Sequence, residues 1–167
     1  MQRNPLVRRL ATISLVFIFL VILAGSVVRA TGSGMGCPDW PQCFGYTIPP
    51  TDVETLTWRA ARSFEEGQMI LLKDQFWVAT ADFTTGEEFA SENWTLFDRH
   101  DYNIFNPVHT WIEFINRLIG ALSGLPVLAL AIIGMWGVRR NVWNAVLSVG
   151  VLFLLLFEAW LGKLVVD

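Results

Sequence analysis

Three stretches of this chain carry no charge over lengths comparable with the thickness of a lipid bilayer. Leu10 to Val28 is uncharged over 19 residues, Leu118 to Val138 over 21, and Val142 to Phe157 over 16 before Glu158, after which the chain stays largely apolar to Val166. A helix rises about 1.5 Å per residue, so ~20 residues cross the hydrocarbon core, where no water is present to satisfy a non-helical backbone. The first run follows a basic start, MQRNPLVRR, as a secretory leader would, but it exceeds the 7–15 apolar residues of such a leader. A retained helix is therefore expected. The chain is 53% hydrophobic and 16% charged, which agrees with an all-α integral membrane protein rather than a soluble domain.

Charge is segregated along the sequence. Of the 15 acidic residues, 12 lie between Thr31 and Val108, where only four of the 12 basic ones are found. No basic cluster exceeds a pair, so nucleic acid is not an expected partner. Arg3, Arg8 and Arg9 precede the first run, and Arg139 with Arg140 separates the second from the third. Basic residues favour the cytoplasmic side. The expected organisation is a cytoplasmic N-terminus and first transmembrane helix over 1–30, then an extracytoplasmic loop carrying both cysteines over 31–108. A second helix over 109–138, a cytoplasmic turn over 139–141 and a third helix over 142–166 complete it. The location this implies is the inner (plasma) membrane, multi-pass. Gly25, Gly120, Gly124, Gly134 and Gly137 are small positions where helices can approach closely, and Pro126 is expected to kink the second helix.

A loop of that length is expected to hold structure of its own. Thr51 and Glu54 have capping-box spacing, and no Gly or Pro follows until after Glu66, which predicts a short helix. Thr85 and Glu88 repeat the signal. The acidic residues there read as a solvated face.

Two groups of residues can carry chemistry. Cys37 and Cys43 enclose Pro38 and Pro41 in GSGMGCPDWPQCFG, just after the first helix. They are the two cysteines of the chain. A mutual disulfide leads, with a redox-active pair and a metal site as alternatives. The second group lies at the start of the second helix. At 100° per residue His109, Glu113, Asn116 and Gly120 fall within about 60° of one another, and Arg117 borders them. Ionisable groups inside a span are costly and usually face a cavity or a partner. Arg29 ends the first helix and Glu158 lies near the outer end of the third. Arg29 and Arg117 can hold carboxylates, and Glu113 can exchange protons. A ligand with two carboxylates and a large apolar body, such as a haem, suits this set.

The segment VVRATGSGMGCPDWPQCFG after one membrane helix, with EFINRLIG opening the next, resembles the haem A synthase family. There a helix end R-x-T-x-S-G leads into C-x-D-W-P-x-C, and the following helix opens E-x-x-H-R-x-x-G. Arg29, Thr31, Ser33, Gly34, Cys37, Asp39, Trp40, Pro41, Cys43, Glu113, Arg117 and Gly120 match, and FEAWLGKLVV extends the likeness weakly into the third helix. The resemblance implies an oxidoreductase that converts the C8 methyl of haem O to the formyl of haem A by successive hydroxylations. It implies two four-helix halves, the N-terminal one taking haem O as substrate and the C-terminal one carrying haem b between two histidines. It also makes Glu113 a catalytically important carboxylate, and Cys37 with Cys43 an outer disulfide or redox pair forming a lid over the haem site.

Two departures accompany the resemblance. Asn116 stands where the family has its haem-ligating histidine, and an amide is a poor iron ligand; His109, about 10 Å away along the helix, is the remaining candidate for the metal. The chain also ends where a fourth helix is expected, so it reads as three helices of a four-helix-bundle half, incomplete alone. Expected partners are haem O, the lipid bilayer, a C-terminal half, haem O synthase and cytochrome oxidase assembly factors. The competing functions are a non-catalytic haem-binding or assembly subunit of the respiratory chain, and a quinone-linked thiol oxidase, which would need a second cysteine pair.

Overall fold

The computed structural model describes residues 5–98, 105–137 and 142–166. In chain order these form helix α1 (Pro5–Thr31), strands β1 (Ser63–Phe64), β2 (Met69–Leu72), β3 (Gln75–Ala79), β4 (Phe83–Thr84) and β5 (Trp94–Leu96), and helices α2 (Pro107–Trp136) and α3 (Val142–Val166). They divide into two compact units. One comprises residues up to 30 together with 115–165, and the other centres on 31–114, which includes the first two turns of α2.

The first unit is helical. Each of the three helices is long and apolar enough to cross a membrane. Its burial pattern is inverted relative to a soluble bundle. Leu15, Phe19, Ile22 and Leu23 of α1 and Leu154, Leu156 and Phe157 of α3 are exposed, whereas Ser14, Ser123, Ala131 and Ser148 are buried. Large apolar side chains suit lipid, and small ones let helices meet. Gly134 of α2 is one such place, because a Cβ there would collide with Ser148 Oγ and stand 3.2 Å from the Asn144 carbonyl oxygen of α3. Gly25 is another, facing Asn116, while Gly120 and Gly124 have nothing within 4 Å. Trp136 and Trp143, at facing ends of α2 and α3, are 84% and 69% exposed, as residues of an interfacial aromatic belt would be. The expected turn 139–141 lies outside the described residues, as do Arg3 and His100.

Helix α2 starts at Pro107, earlier than the predicted 109, for a local reason. Asn106 accepts the Val108 and His109 N–H groups on its side-chain oxygen at 3.0 and 3.4 Å, and Pro107 fills the first helical position with its φ already set. The helix continues through Pro126 to Trp136.

The second unit corrects the all-α expectation, for it is built on β-structure. Strands β2, β3 and β5 form an antiparallel sheet in the order β2-β3-β5, and β1 pairs with β4. Alternation explains why MILLKDQFWVA is a hairpin. Met69, Leu71, Phe76 and Val78 meet one apolar cluster with Cys37, Cys43, Phe44, Leu56 and Phe105; Ile70, Trp77 and Ala79 meet a second with Phe64 and Trp94. A period of two lets one sheet feed two cores, which a helix through these residues would not do. Lys73 and Asp74, both at positive φ, make the two-residue turn.

The two helices expected in the loop are likewise corrected. After Thr51 the chain makes only a four-residue 3-10 turn, Val53–Leu56. It then extends because Leu56 belongs to the first cluster and Trp58 packs edge-on against Phe89 of the second. Thr85 caps no helix. Its buried hydroxyl donates to the Arg59 carbonyl at 2.6 Å and accepts from the Arg62 N–H at 2.9 Å. Glu54, Glu65, Glu66, Glu87, Glu88 and Glu92 are exposed, as a solvated face requires.

Candidate functional site

The cysteine loop is closed by a Cys37–Cys43 disulfide with the Cα atoms 4.8 Å apart, and both residues are buried. Local chemistry explains the motif around it. At the end of α1, the Thr31 and Ser33 hydroxyls are hydrogen-bonded at 2.6 Å. Inside the loop, Asp39 accepts the Phe44 N–H on Oδ1 at 2.5 Å and the Gly45 N–H on Oδ2 at 2.7 Å. Those two donors point the same way because Phe44 and Gly45 have consecutive positive φ values of 60° and 75°. They form the turn of a tiny hairpin in which Cys43 and Tyr46 exchange backbone bonds. A left-handed Phe is disfavoured by about 1–2 kcal/mol. The Asp39 carboxylate and the burial of the ring against Phe76 and Phe105, each with centroids 5.4 Å away, offset it. Gly45 has no substitute, since a Cβ would collide with Gly67 O and the Gln68 backbone.

This loop is docked on the first turns of α2. Gly36 touches the helix backbone directly: a Cβ there would lie 2.5 Å from the His109 carbonyl oxygen and 2.8 Å from the Thr110 nitrogen. Thr110 Oγ1 donates to the Gly36 carbonyl at 2.8 Å, and the Cys37 N–H donates to Glu113 Oε2 at 2.9 Å. Cys37 Sγ also lies 3.7 Å from the Thr110 carbonyl oxygen, a contact without a proton because the sulfur is in the disulfide. Thr110 is 0% and Glu113 5% exposed. A buried carboxylate is tolerable only with such donors.

Of the residues singled out from sequence, the structure thus joins Cys37, Cys43 and Glu113 in one assembly. His109 is half-buried in the first turn of α2, with its backbone against Gly36. Arg29, Asn116 and Arg117 belong to the helical unit. Arg29 is exposed in the last turn of α1, whereas Asn116 and Arg117 are half-buried on α2. Asn116 Oδ1 stands 3.9 Å from the place of a Gly25 Cβ. Glu158 is exposed on α3. Sequence reasoning missed Thr110 and Gly36. Thr110 is three residues before Glu113, hence on the same helix face, and that spacing was the available signal.

Among the described residues no group of three or more His, Cys, Asp and Glu side chains can hold a metal ion. A haem b between two histidines does not fit them either, because His109 supplies their one imidazole. Burial pushes the Tyr46 phenol of the loop unit up from its ordinary value. The Arg62 guanidinium opposes that shift, and Glu65 adds to it.

Comparison with known proteins gives a consistent picture. The family described as cytochrome oxidase assembly protein matches residues 8–85, which contain all but the first three residues of α1, and the disulfide loop. A heme A synthase of Shewanella oneidensis is 31% identical over 121 residues, covering 72% of this chain and 26% of that protein. A heme A synthase of Shouchella clausii is 46% identical over 43 residues, covering 25% of this chain and 14% of that protein. The chain therefore aligns with about a quarter or less of the length of these relatives. No solved structure matches it significantly.

Proposed function

The chain belongs to the haem A synthase family, and from that premise we propose that it takes part in oxidising the C8 methyl of haem O to the formyl of haem A, as the N-terminal part that receives the substrate. The net change is CH3 plus H2O to CHO, with release of four protons and four electrons. It proceeds as two hydroxylations of one carbon by water, each passing two electrons to a redox acceptor outside this chain, followed by loss of water from the geminal diol. Glu113 takes and returns the proton as that water leaves. Arg29 and Arg117 hold the propionates of the substrate. The N-terminus is cytoplasmic and the helices lie in the inner membrane. A bis-histidine haem b, haem O synthase and cytochrome oxidase assembly factors are partners from outside the described residues.

The observation that carries this reading is the buried Glu113 carboxylate, held by the backbone of the same cysteine loop whose sequence marks the family. A purely structural carboxylate would serve equally well as an amide. Glu113→Gln separates the two roles, because its side-chain oxygen still accepts the Cys37 N–H and keeps the loop docked. The test is pigment extraction from membranes in which this chain, in its native gene context, is the source of haem A. The expected result is that Glu113→Gln retains bound haem O and makes no haem A. Undiminished haem A in that variant would refute the catalytic role. The amide at Asn116 favours a second reading, a haem-binding or assembly subunit without turnover; haem O bound with no haem A formed by the wild type would establish it instead.

A further inference from the structure

Two of the bonds that dock the cysteine loop involve a single peptide group. Gly36 O accepts the Thr110 hydroxyl at 2.8 Å, and the N–H of the same Gly36–Cys37 peptide donates to Glu113 Oε2 at 2.9 Å. The carbonyl and N–H of a trans peptide point in opposite directions. Thr110 and Glu113 are three residues apart on one face of α2, about 4.5 Å along its axis. One peptide plane is thereby clamped lengthwise along the helix between two buried side chains.

Hydroxyls on helices commonly turn back onto the carbonyl four residues earlier. Thr12, Ser26 and Ser148 do so in this chain, onto Arg8, Ile22 and Asn144. Thr110 instead spends its proton on a carbonyl 74 residues away in sequence. Donation into a peptide oxygen polarises the peptide and makes its N–H a stronger donor. It also fixes the rotation of the plane, and with it the direction from which the N–H meets the carboxylate. Contact between Gly36 and the His109 backbone leaves the plane no room to shift toward α2.

We infer that Thr110 is a positioning residue for Glu113, acting at one remove through the Gly36–Cys37 peptide. This rests on the reading of Glu113 as the group that exchanges protons with substrate. Thr110 itself touches no reacting atom; it sets the orientation and polarity of the bond that holds the carboxylate.

The test is infrared spectroscopy of the full chain in lipid, using the carboxyl band that Glu113→Gln removes, combined with haem A extraction from the same membranes. Thr110→Val keeps the shape and removes the donor, so the Glu113 band should move and haem A formation should fall about fivefold, the equivalent of one net hydrogen bond. Thr110→Ser restores the hydroxyl and should return both to wild-type values. A Glu113 band at the wild-type position in Thr110→Val overturns the inference, as does failure of Thr110→Ser to restore it. Thr110→Ala supplies the same reading should the valine variant not insert. If the wild type makes no haem A, the functional reading falls, while the band still decides whether Thr110 positions Glu113.

Discussion

Replacing Gly36 by Ala tests the docking of the cysteine loop with a single methyl group. The backbone of Gly36 has φ −78° and ψ −18°, in the right-handed region that any residue adopts. Away from a neighbour the substitution would stabilise by about 0.4–1 kcal/mol, through the unfolded chain. Here the new methyl would stand 2.5 Å from His109 O, 2.6 Å from His109 C and 2.8 Å from Thr110 N, where ordinary contact begins near 3.4 Å. All three atoms are helix backbone, so the loop must withdraw by about 1 Å. The bonds of 2.8 Å to Thr110 and 2.9 Å to Glu113 would then stretch beyond hydrogen-bonding range. Losing a neutral bond costs about 1 kcal/mol and a charge-assisted one about 1.5–3, with the buried carboxylate left short of a donor. Set against the backbone gain, the net expectation is a local loss of about 1.5–3.5 kcal/mol. Amide hydrogen exchange of the peptide containing Cys37 reads this directly, and its protection should fall by about one order of magnitude or more. Unchanged protection would show that the Gly36 contact does not hold the loop on α2, and would refute the reasoning.

Two further outcomes are expected. Asp39→Ala removes both acceptors from the Phe44–Gly45 turn, at a cost of about 2–4 kcal/mol, and should make the Cys37–Cys43 disulfide markedly faster to reduce in a thiol-trapping assay; an unchanged rate would count against the turn. The half-buried Tyr46 phenol titrates above its ordinary value of 10.0, so between that pH and its folded pKa the unfolded chain gives up a proton that the folded chain keeps. Stability from this group is therefore full below pH 10 and falls as pH rises through the folded value. Thermal melts of Tyr46→Phe should lack that part of the alkaline decline, and identical pH profiles would dispose of it.

The apolar runs determined three helices long and apolar enough to cross a membrane, without help from anything distant. The absence of water in a bilayer core leaves a long uncharged segment few choices but a helix, and helices run over Pro5–Thr31, Pro107–Trp136 and Val142–Val166. The cysteine pair and the Glu113 face were also legible, because a loop motif and a helical period are local properties. The middle of the loop was not. Thr51-x-x-Glu54 and Thr85-x-x-Glu88 carry a true local preference for a helix start, yet that preference is worth only about a kilocalorie per mole. Burial of Leu56, Trp58, Phe64 and Trp94 in two separate clusters outweighs it and draws the chain into strands. The clamp on Glu113 was beyond sequence for the same reason. Thr110 and Glu113 share a helix face by spacing alone, but their partner is a peptide more than seventy residues earlier, and only the packing of Gly36 against α2 brings it there.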